Sequence, residues 1–146
     1  MNPPWIKDYD ASADHHPTAW PDRFDVSRWG LLTATRGEGK RPIGGAVLAF
    51  DTPGLEMLEG RSDLAMLWDL RVSPEERGRG AGSTLFAACE RWARDRGGIE
   101  LKIETQDINV PACRFYARQT CVLFEVHHDM YPEHPGETQL IWRKAL

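Results

Sequence analysis

Hydrophobic and polar positions along this chain predict a pair of strands, a connector and then a longer buried strand. Residues 29–35 and 43–50 are mainly apolar and flank a turn with two glycines and a proline, which predicts an antiparallel hairpin. The connector at 51–63 is interrupted by one proline and two glycines and is expected to hold a short helical turn. Residues 64–72 are nearly continuously apolar, as is typical of a central strand covered on both faces.

The pattern then changes to the 3.6-residue period of an amphipathic helix. One predicted face of this helix is apolar and comprises Leu85, Phe86, Cys89, Trp92 and Ala93. The opposite face is predicted to be charged and comprises Glu90, Arg91, Arg94 and Asp95. Gly97 and Gly98 predict a left-handed end to the helix. From Ile99 to Glu104 apolar and charged residues alternate, which predicts a strand with one buried face.

The strand–helix–strand order over residues 64–104 predicts a crossover between two parallel strands. Asn109 can cap a second helix, in which Pro111 is tolerated in the first turn. One face of that helix carries Ala112, Phe115, Tyr116 and Gln119. Residues 121–127 and 138–144 are predicted to be two closing strands.

Length, charge and cysteine usage restrict the function classes. With 146 residues, 41% of them hydrophobic, the chain fits one domain over 1–146, in which residues 1–28 are predicted to form an irregular arm. The net charge of -4 argues against a nucleic-acid binder and favours a cationic substrate. The three cysteines form no C-x-x-C pair, and the chain starts with neither a basic nor an apolar run. A cytoplasmic protein with buried free thiols and no membrane span is therefore expected.

A glycine-rich loop connects the strand at 64–72 to the first predicted helix. Its sequence is Arg77-Gly78-Arg79-Gly80-Ala81-Gly82, and a loop of this kind binds a pyrophosphate through backbone N–H groups and the helix dipole. The dinucleotide fingerprint G-x-G-x-x-G fails because position 83 is Ser, and a Gly-Lys-Ser/Thr loop is absent. The two common nucleotide-binding motifs are thus excluded.

The remaining pattern resembles the acetyl-CoA signature of the GNAT N-acetyltransferase superfamily, Arg/Gln-x-x-Gly-x-Gly/Ala. This signature is met by Arg77, Gly80 and Gly82, after a strand and before a helix. A second motif of the family, in which an Asn ends a strand and a Phe-Tyr pair lies on the next helix, is similar to Asn109 with Phe115-Tyr116.

The resemblance covers about residues 64–126, and the strand–helix–strand unit lies between the two motifs as the family requires. Residues 103–109 and 131–135 also resemble members of the streptothricin-acetyltransferase type. Thr120 stands where a glycine commonly follows the Phe-Tyr helix, so that helix is expected to end without its favoured cap.

The resemblance implies an α+β (α/β three-layer) fold, with a mixed central sheet, a βαβ acetyl-CoA-binding core and flanking helices. It implies an N-acetyltransferase that moves an acetyl group directly from acetyl-CoA, its cosubstrate, to a primary amine without a metal. Adjacent histidines such as His127 and His128 point to opposite faces of a strand, which also argues against a metal site. The positions implied to hold acetyl-CoA are Leu70, Arg71, Val72, Arg77, Gly78, Arg79, Gly80, Ala81, Gly82, Ser83, Asn109 and Tyr116.

Three side chains are candidates for proton transfer. The resemblance gives Tyr116 the position of the acid that protonates the leaving thiolate, and the alternative is a core aromatic residue with a bonded hydroxyl. Glu104 and Asp69 are alternative bases for the acceptor ammonium, directly or through water, and both residue types also occur in ion pairs.

The acceptor is expected to be a small cationic amine, because Glu104 and Asp107 lie near the expected amine site. Two alternatives are a non-catalytic acyl-CoA-binding module, suggested by the short N-terminal arm, and an acetyltransferase of protein lysines or N-termini. Neither nucleic acid nor a membrane is expected as a partner, and strand pairing at the sheet edge is compatible with a homodimer.

Overall fold

A computed structural model of the chain describes residues 20–146. The helices and strands, in chain order, are α1 (Trp20–Arg23), β1 (Gly30–Arg36), β2 (Arg41–Phe50), β3 (Leu64–Val72), α2 (Ala81–Asp95), β4 (Glu100–Gln106), α3 (Val110–Arg118), β5 (Val122–His127) and β6 (Gln139–Ala145). Short 3-10 helices span Glu56–Leu58 and Pro74–Glu76. The first 19 residues of the predicted arm, and with them His15 and His16, lie outside the described residues.

The six strands form one sheet in the order β1-β2-β3-β4-β6-β5. The pair β3–β4 is parallel, and every other neighbouring pair is antiparallel. The predicted hairpin, the parallel crossover through α2 and the two closing strands are therefore confirmed. So is the α+β class with a mixed central sheet and flanking helices.

The two faces of the sheet are covered differently. On one face the stripe of α2 packs against the sheet, and Leu85, Phe86, Cys89 and Ala93 are buried there as the helical period predicts. On the other face, residues of the 51–63 connector form a second core together with an aromatic cluster. The aromatic cluster consists of Trp20, Phe24, Trp29 and Trp68. We refer to these two sides as the helix face and the aromatic face.

Two charged residues that periodicity places towards solvent are buried instead. Glu90 is 8% exposed because Lys144 of β6 and Arg94 donate to its carboxylate at 2.9 and 3.0 Å. Lys102 is 6% exposed, and its ammonium donates to the Met57 carbonyl at 3.0 Å. Each prediction was wrong because a partner from a distant element satisfies the charge, which lets it enter the interior.

The end of α3 also differs from the expectation. Thr120 adopts the left-handed conformation with φ of 64°, and the N–H of Cys121 donates to the Tyr116 carbonyl at 3.0 Å. These are the features of the cap that glycine usually makes. The helix keeps the favoured geometry, and Thr120 occupies it at a cost of about 1–2 kcal/mol.

The two central parallel strands separate at the end that leads into the loops. The β3–β4 ladder pairs Leu64–Leu67 with Glu100–Ile103 and stops there. On the other edge of β3, the pairing with β2 contains a β-bulge, in which Trp68 has no paired residue on β2. Such a bulge bends the strand that contains it. Residues 68–72 and 104–106 therefore border a wedge-shaped opening, which we call the splay. Among residues 20–146 no helix is long and apolar enough to cross a membrane.

Candidate active site

The glycine-rich loop ends at the N-terminus of α2, beside the splay. Gly78 and Gly80 have φ of 77° and 85°, a conformation that residues with a Cβ rarely adopt. Gly80 is the N-cap and has no side chain to accept from the first turn of α2. The N–H groups of that turn are therefore available to donate hydrogen bonds to an anion.

Gly82 allows the two helices next to the splay to approach each other. A Cβ at this position would lie 3.1 Å from a ring carbon of Phe115 on α3. Further along, the Gln119 amide donates to the Ser83 hydroxyl at 2.9 Å. The two sequence motifs, 27 or more residues apart, thus meet across the start of α2.

A buried carboxylate anchors the loop to the first hairpin. Glu76 is 2% exposed and accepts from Arg36 at 2.9 Å and from Arg41 at 2.6 Å. Arg79 approaches the same carboxylate at 3.9 Å. A cleft of about 330 Å³ lies next to this cluster, between the hairpin and the first turn of α2. Glu76 was not identified from the sequence, because its partners Arg36 and Arg41 belong to the distant β1–β2 hairpin.

We expect acid to weaken this anchor. The hydrogen bond from Arg41, assisted by the charge of Arg36, holds the pKa of Glu76 below its usual value of about 4.5. Because the pKa of Glu76 is lowered in the folded state, its carboxylate stabilises the fold fully above the usual pKa of about 4.5. This stabilisation is lost as the pH falls through the lowered, folded-state pKa. The difference in Tm between the wild type and Glu76→Gln should therefore shrink between about pH 6 and about pH 3. Equal differences at both pH values would contradict this assignment.

The helix-face side of the splay is formed by residues of β3 and by the N-cap of α3. Leu70 packs against the helix-face core, and Val72 lies two residues further along the same strand face. Asn109 caps α3 as predicted, and its side-chain oxygen accepts from the Ala112 N–H at 3.3 Å. These residues surround the route from the α2 N-terminus into the splay.

Tyr116 lies on the same side and is 8% exposed. Its ring packs against Phe86 and Phe115, with centroid distances of 6.1 and 5.2 Å. Burial raises the pKa of Tyr116 well above its usual value, and the charges of Cys121 and Asp69 act in the same direction. The hydroxyl is therefore a hydrogen-bond donor throughout the neutral and moderately alkaline range.

Asp69 and Arg71 lie on the opposite side, because their strand positions face the aromatic face. The Arg71 Nε is 3.0 Å from each carboxylate oxygen of Asp69. Of the two candidate bases, Asp69 is thus the one that forms an ion pair with an arginine. The side chain of Arg71 points away from the helix face, so only its backbone borders the predicted cofactor route.

Glu104 also lies on the aromatic-face side, since Ile103 and Thr105 on either side of it face the helices. Its Oε1 accepts from the Tyr131 hydroxyl at 2.5 Å. The Gln106 amide donates to the same hydroxyl at 3.3 Å. Asp107, by contrast, is exposed, and it accepts from the Thr138 N–H in the β5–β6 loop.

The splay therefore separates two chemical environments. A protonated phenol and a helix start without a side-chain cap lie on the helix face, and two carboxylates lie on the aromatic face. Within residues 20–146 there is no group of three His, Cys, Asp or Glu side chains that could hold a metal ion. Tyr131 and Gln106 were not identified from sequence, and the only signal for Tyr131 was its place in the 131–135 segment.

Comparison with known proteins agrees with this geometry. The model of the acetyltransferase (GNAT) family matches residues 2–120. The chain belongs to the GNAT acetyltransferase family. The predicted resemblance is confirmed, and the matched residues include the glycine-rich loop and both strands that border the splay.

Relatives of this GNAT chain include streptothricin acetyltransferases. It is 32% identical over 80 residues to streptothricin acetyltransferase A of Bacillus subtilis (strain 168), covering 53% of this chain and 46% of the relative. It is 32% identical over 91 residues to the streptothricin acetyltransferase of Escherichia coli, covering 60% and 52%. The chain thus spans about half the length of the curated relatives it matches.

A solved structure gives the same result for the fold. A Bacillus anthracis str. Ames protein described as a streptothricin acetyltransferase, solved in complex with acetyl coenzyme A, superimposes with a TM-score of 0.64. It is 25% identical, and the match covers 73% of this chain and 57% of that chain.

Proposed function

We propose that this chain is an acetyl-CoA-dependent N-acetyltransferase that transfers an acetyl group directly to a primary amine of a small cationic molecule. The observation that carries the proposal is the splay itself, with an uncapped helix start on one side and carboxylates on the other. The names of the relatives support a streptothricin-type acceptor.

The residues of the helix face fit acetyl-CoA. The N–H groups of the first turn of α2 and the loop around Gly80 suit the pyrophosphate, and Arg77 and Arg79 add positive charge next to it. The splay beside Leu70 and Val72 suits the pantetheine arm, with Asn109 at its other edge. The acetyl-CoA complex of the Bacillus anthracis protein supports this assignment.

When bound, acetyl-CoA supplies the acyl group as an activated thioester. In the proposed mechanism Glu104 accepts the proton of the acceptor ammonium, directly or through water, because only the free amine is a nucleophile. Backbone N–H groups of residues 70–72 donate to the acyl oxygen as negative charge develops on it. The new C–N bond replaces the C–S bond, and the nitrogen loses its second proton to the departing sulfur, directly or through water. The Tyr116 hydroxyl donates a hydrogen bond to that sulfur while negative charge develops on it.

Turnover with a panel of amines tests the proposal. The protein is incubated with acetyl-CoA and with streptothricin, polyamines, aminoglycosides or lysine peptides, and released CoA thiol is followed. We expect release with a small polycationic amine and not with the peptides. Tight CoA binding by calorimetry without release for any amine would instead favour a non-catalytic acyl-CoA-binding module.

A matched pair of glycine variants tests the pyrophosphate site. Gly80 and Gly54 have φ of 85° and 82°, and at both positions a Cβ would meet no atom within 4 Å. Gly80→Ala and Gly54→Ala should therefore both lose about 1–2 kcal/mol of stability. Only Gly80→Ala should also weaken CoA binding, by about tenfold, because relief of the strain moves N–H groups out of position. Equal CoA affinities of the two variants would contradict the assignment.

A further inference from the structure

Tyr131 joins the β5–β6 loop to the carboxylate on β4. It lies 27 residues from Glu104 in sequence, yet its hydroxyl is 2.5 Å from Glu104 Oε1. Gln106, which shares the strand face of Glu104, donates to the same hydroxyl oxygen at 3.3 Å. Three side chains from two elements thus form a short chain, Gln106 to Tyr131 to Glu104.

The direction of the bond between Tyr131 and Glu104 is determined by the surroundings. Burial raises the pKa of Tyr131, and the carboxylates of Glu104 and Glu137 raise it further, while the amide of Gln106 acts in the opposite direction. The net effect keeps the phenol protonated, so its proton points at Glu104. The carboxylate of Glu104 is the acceptor, and its Oε1 is occupied.

The second oxygen of Glu104 is in a different situation. Among residues 20–146, Oε2 of Glu104 has no hydrogen-bond partner. A carboxylate held through one oxygen cannot rotate freely, so the remaining oxygen keeps one direction. A base that is already oriented loses less entropy when the substrate binds.

We propose that Tyr131 is the positioning residue for Glu104, holding Oε1 so that Oε2 receives the proton of the acceptor amine. The inference rests on the proposed function, in which Glu104 is the base. It adds the β5–β6 loop to the acceptor site, and it assigns a role to a residue outside both family motifs.

A double-mutant cycle separates this role from a purely structural one. Tyr131→Phe should lower kcat about tenfold, with the KM for acetyl-CoA and the CoA affinity unchanged, because one hydrogen bond to a charged group is lost. In the Glu104→Gln background the same substitution should change kcat by less than about twofold, since residues that act as one unit are not additive. Additive losses would overturn the positioning role.

A titration tests the contact without any turnover. The chain has three tyrosines, and ultraviolet absorbance of phenolate follows their ionisation. Comparison of the wild type with Tyr131→Phe identifies the contribution of Tyr131. In Glu104→Gln this tyrosine should ionise at lower pH than in the wild type. An unchanged titration would overturn the inference.

The two experiments also separate the inference from the proposed function. Absence of turnover in the wild type overturns both the proposed function and the catalytic part of the inference. Turnover with additive losses overturns the inference alone. As a control, Thr52→Val removes a hydroxyl to which Trp29 Nε1 donates at 2.9 Å, and Thr52 is not among the residues that border the splay. It should lower Tm without changing kcat.

Discussion

Tyr116→Phe is expected to lower kcat by about 10²–10³ while leaving the affinity for CoA within about twofold. The substitution removes only the hydroxyl, and the phenyl ring keeps its contacts with Phe86 and Phe115. Because the hydroxyl acts on charge that develops during the reaction, its loss should appear in kcat rather than in ground-state binding.

The raised pKa of Tyr116 specifies what the hydroxyl contributes. A thiol has a pKa of about 8.5, below that of this phenol, so complete proton transfer from Tyr116 to the sulfur is unfavourable. A hydrogen bond to the developing thiolate is favourable in the buried site. We therefore expect no alkaline limb from Tyr116 in the neutral to moderately alkaline part of the rate profile.

Steady-state kinetics at saturating acetyl-CoA, with calorimetry of CoA binding and a thermal melt, check this prediction. The control Thr52→Val should match the wild type in kcat. If Tyr116→Phe turned over at the wild-type rate with an unchanged Tm, the residue would be a core aromatic and not part of the reaction.

Phe86→Ala is expected to cost about 3–5 kcal/mol of folding free energy, the range for a fully buried Phe. Phe86 lies on α2 and is 0% exposed, and it contacts the rings of Phe115 and Tyr116 on α3 and the ammonium of Lys144 on β6. Its removal leaves a cavity next to the ring of Tyr116, whose hydroxyl is the proposed donor to the departing sulfur. Activity should therefore fall even at temperatures where the variant is folded.

Chemical denaturation of Phe86→Ala and of Phe124→Ala measures this effect with a matched control. Phe124 is 61% exposed on β5 and contacts only the Arg143 guanidinium among the ring contacts described, at 4.5 Å. Its truncation should cost less than about 1 kcal/mol. A similar loss in both variants would show that the region around α2 is not closely packed.

Much of the fold was predictable because it depends on neighbours in sequence. The helical stripe of α2, the glycine end at Gly97 and the cap at Asn109 are local patterns, and each is confirmed. Solvent-facing assignments failed at Glu90 and Lys102, since Lys144 lies 54 residues from Glu90 and the Met57 carbonyl lies 45 residues from Lys102. The expectation that α3 ends without its favoured cap was wrong for another reason. Thr120 adopts the left-handed conformation although glycine is preferred there, because the connection to β5 requires that geometry.

By itself the sequence determined the prediction of the acetyl-CoA half of the proposed site. Backbone N–H groups are the expected donors to the pyrophosphate, and these groups belong to one continuous segment from β3 to α2. A motif within this segment therefore appears directly in the sequence. Only the tertiary structure decided the contacts on which the proposed acceptor half rests. The bulge at Trp68 opens the splay by its pairing with β2, and Glu104 meets Tyr131 across 27 residues. Side chains that recognise an acceptor act through space, and their spacing along the chain carries no signal of that contact.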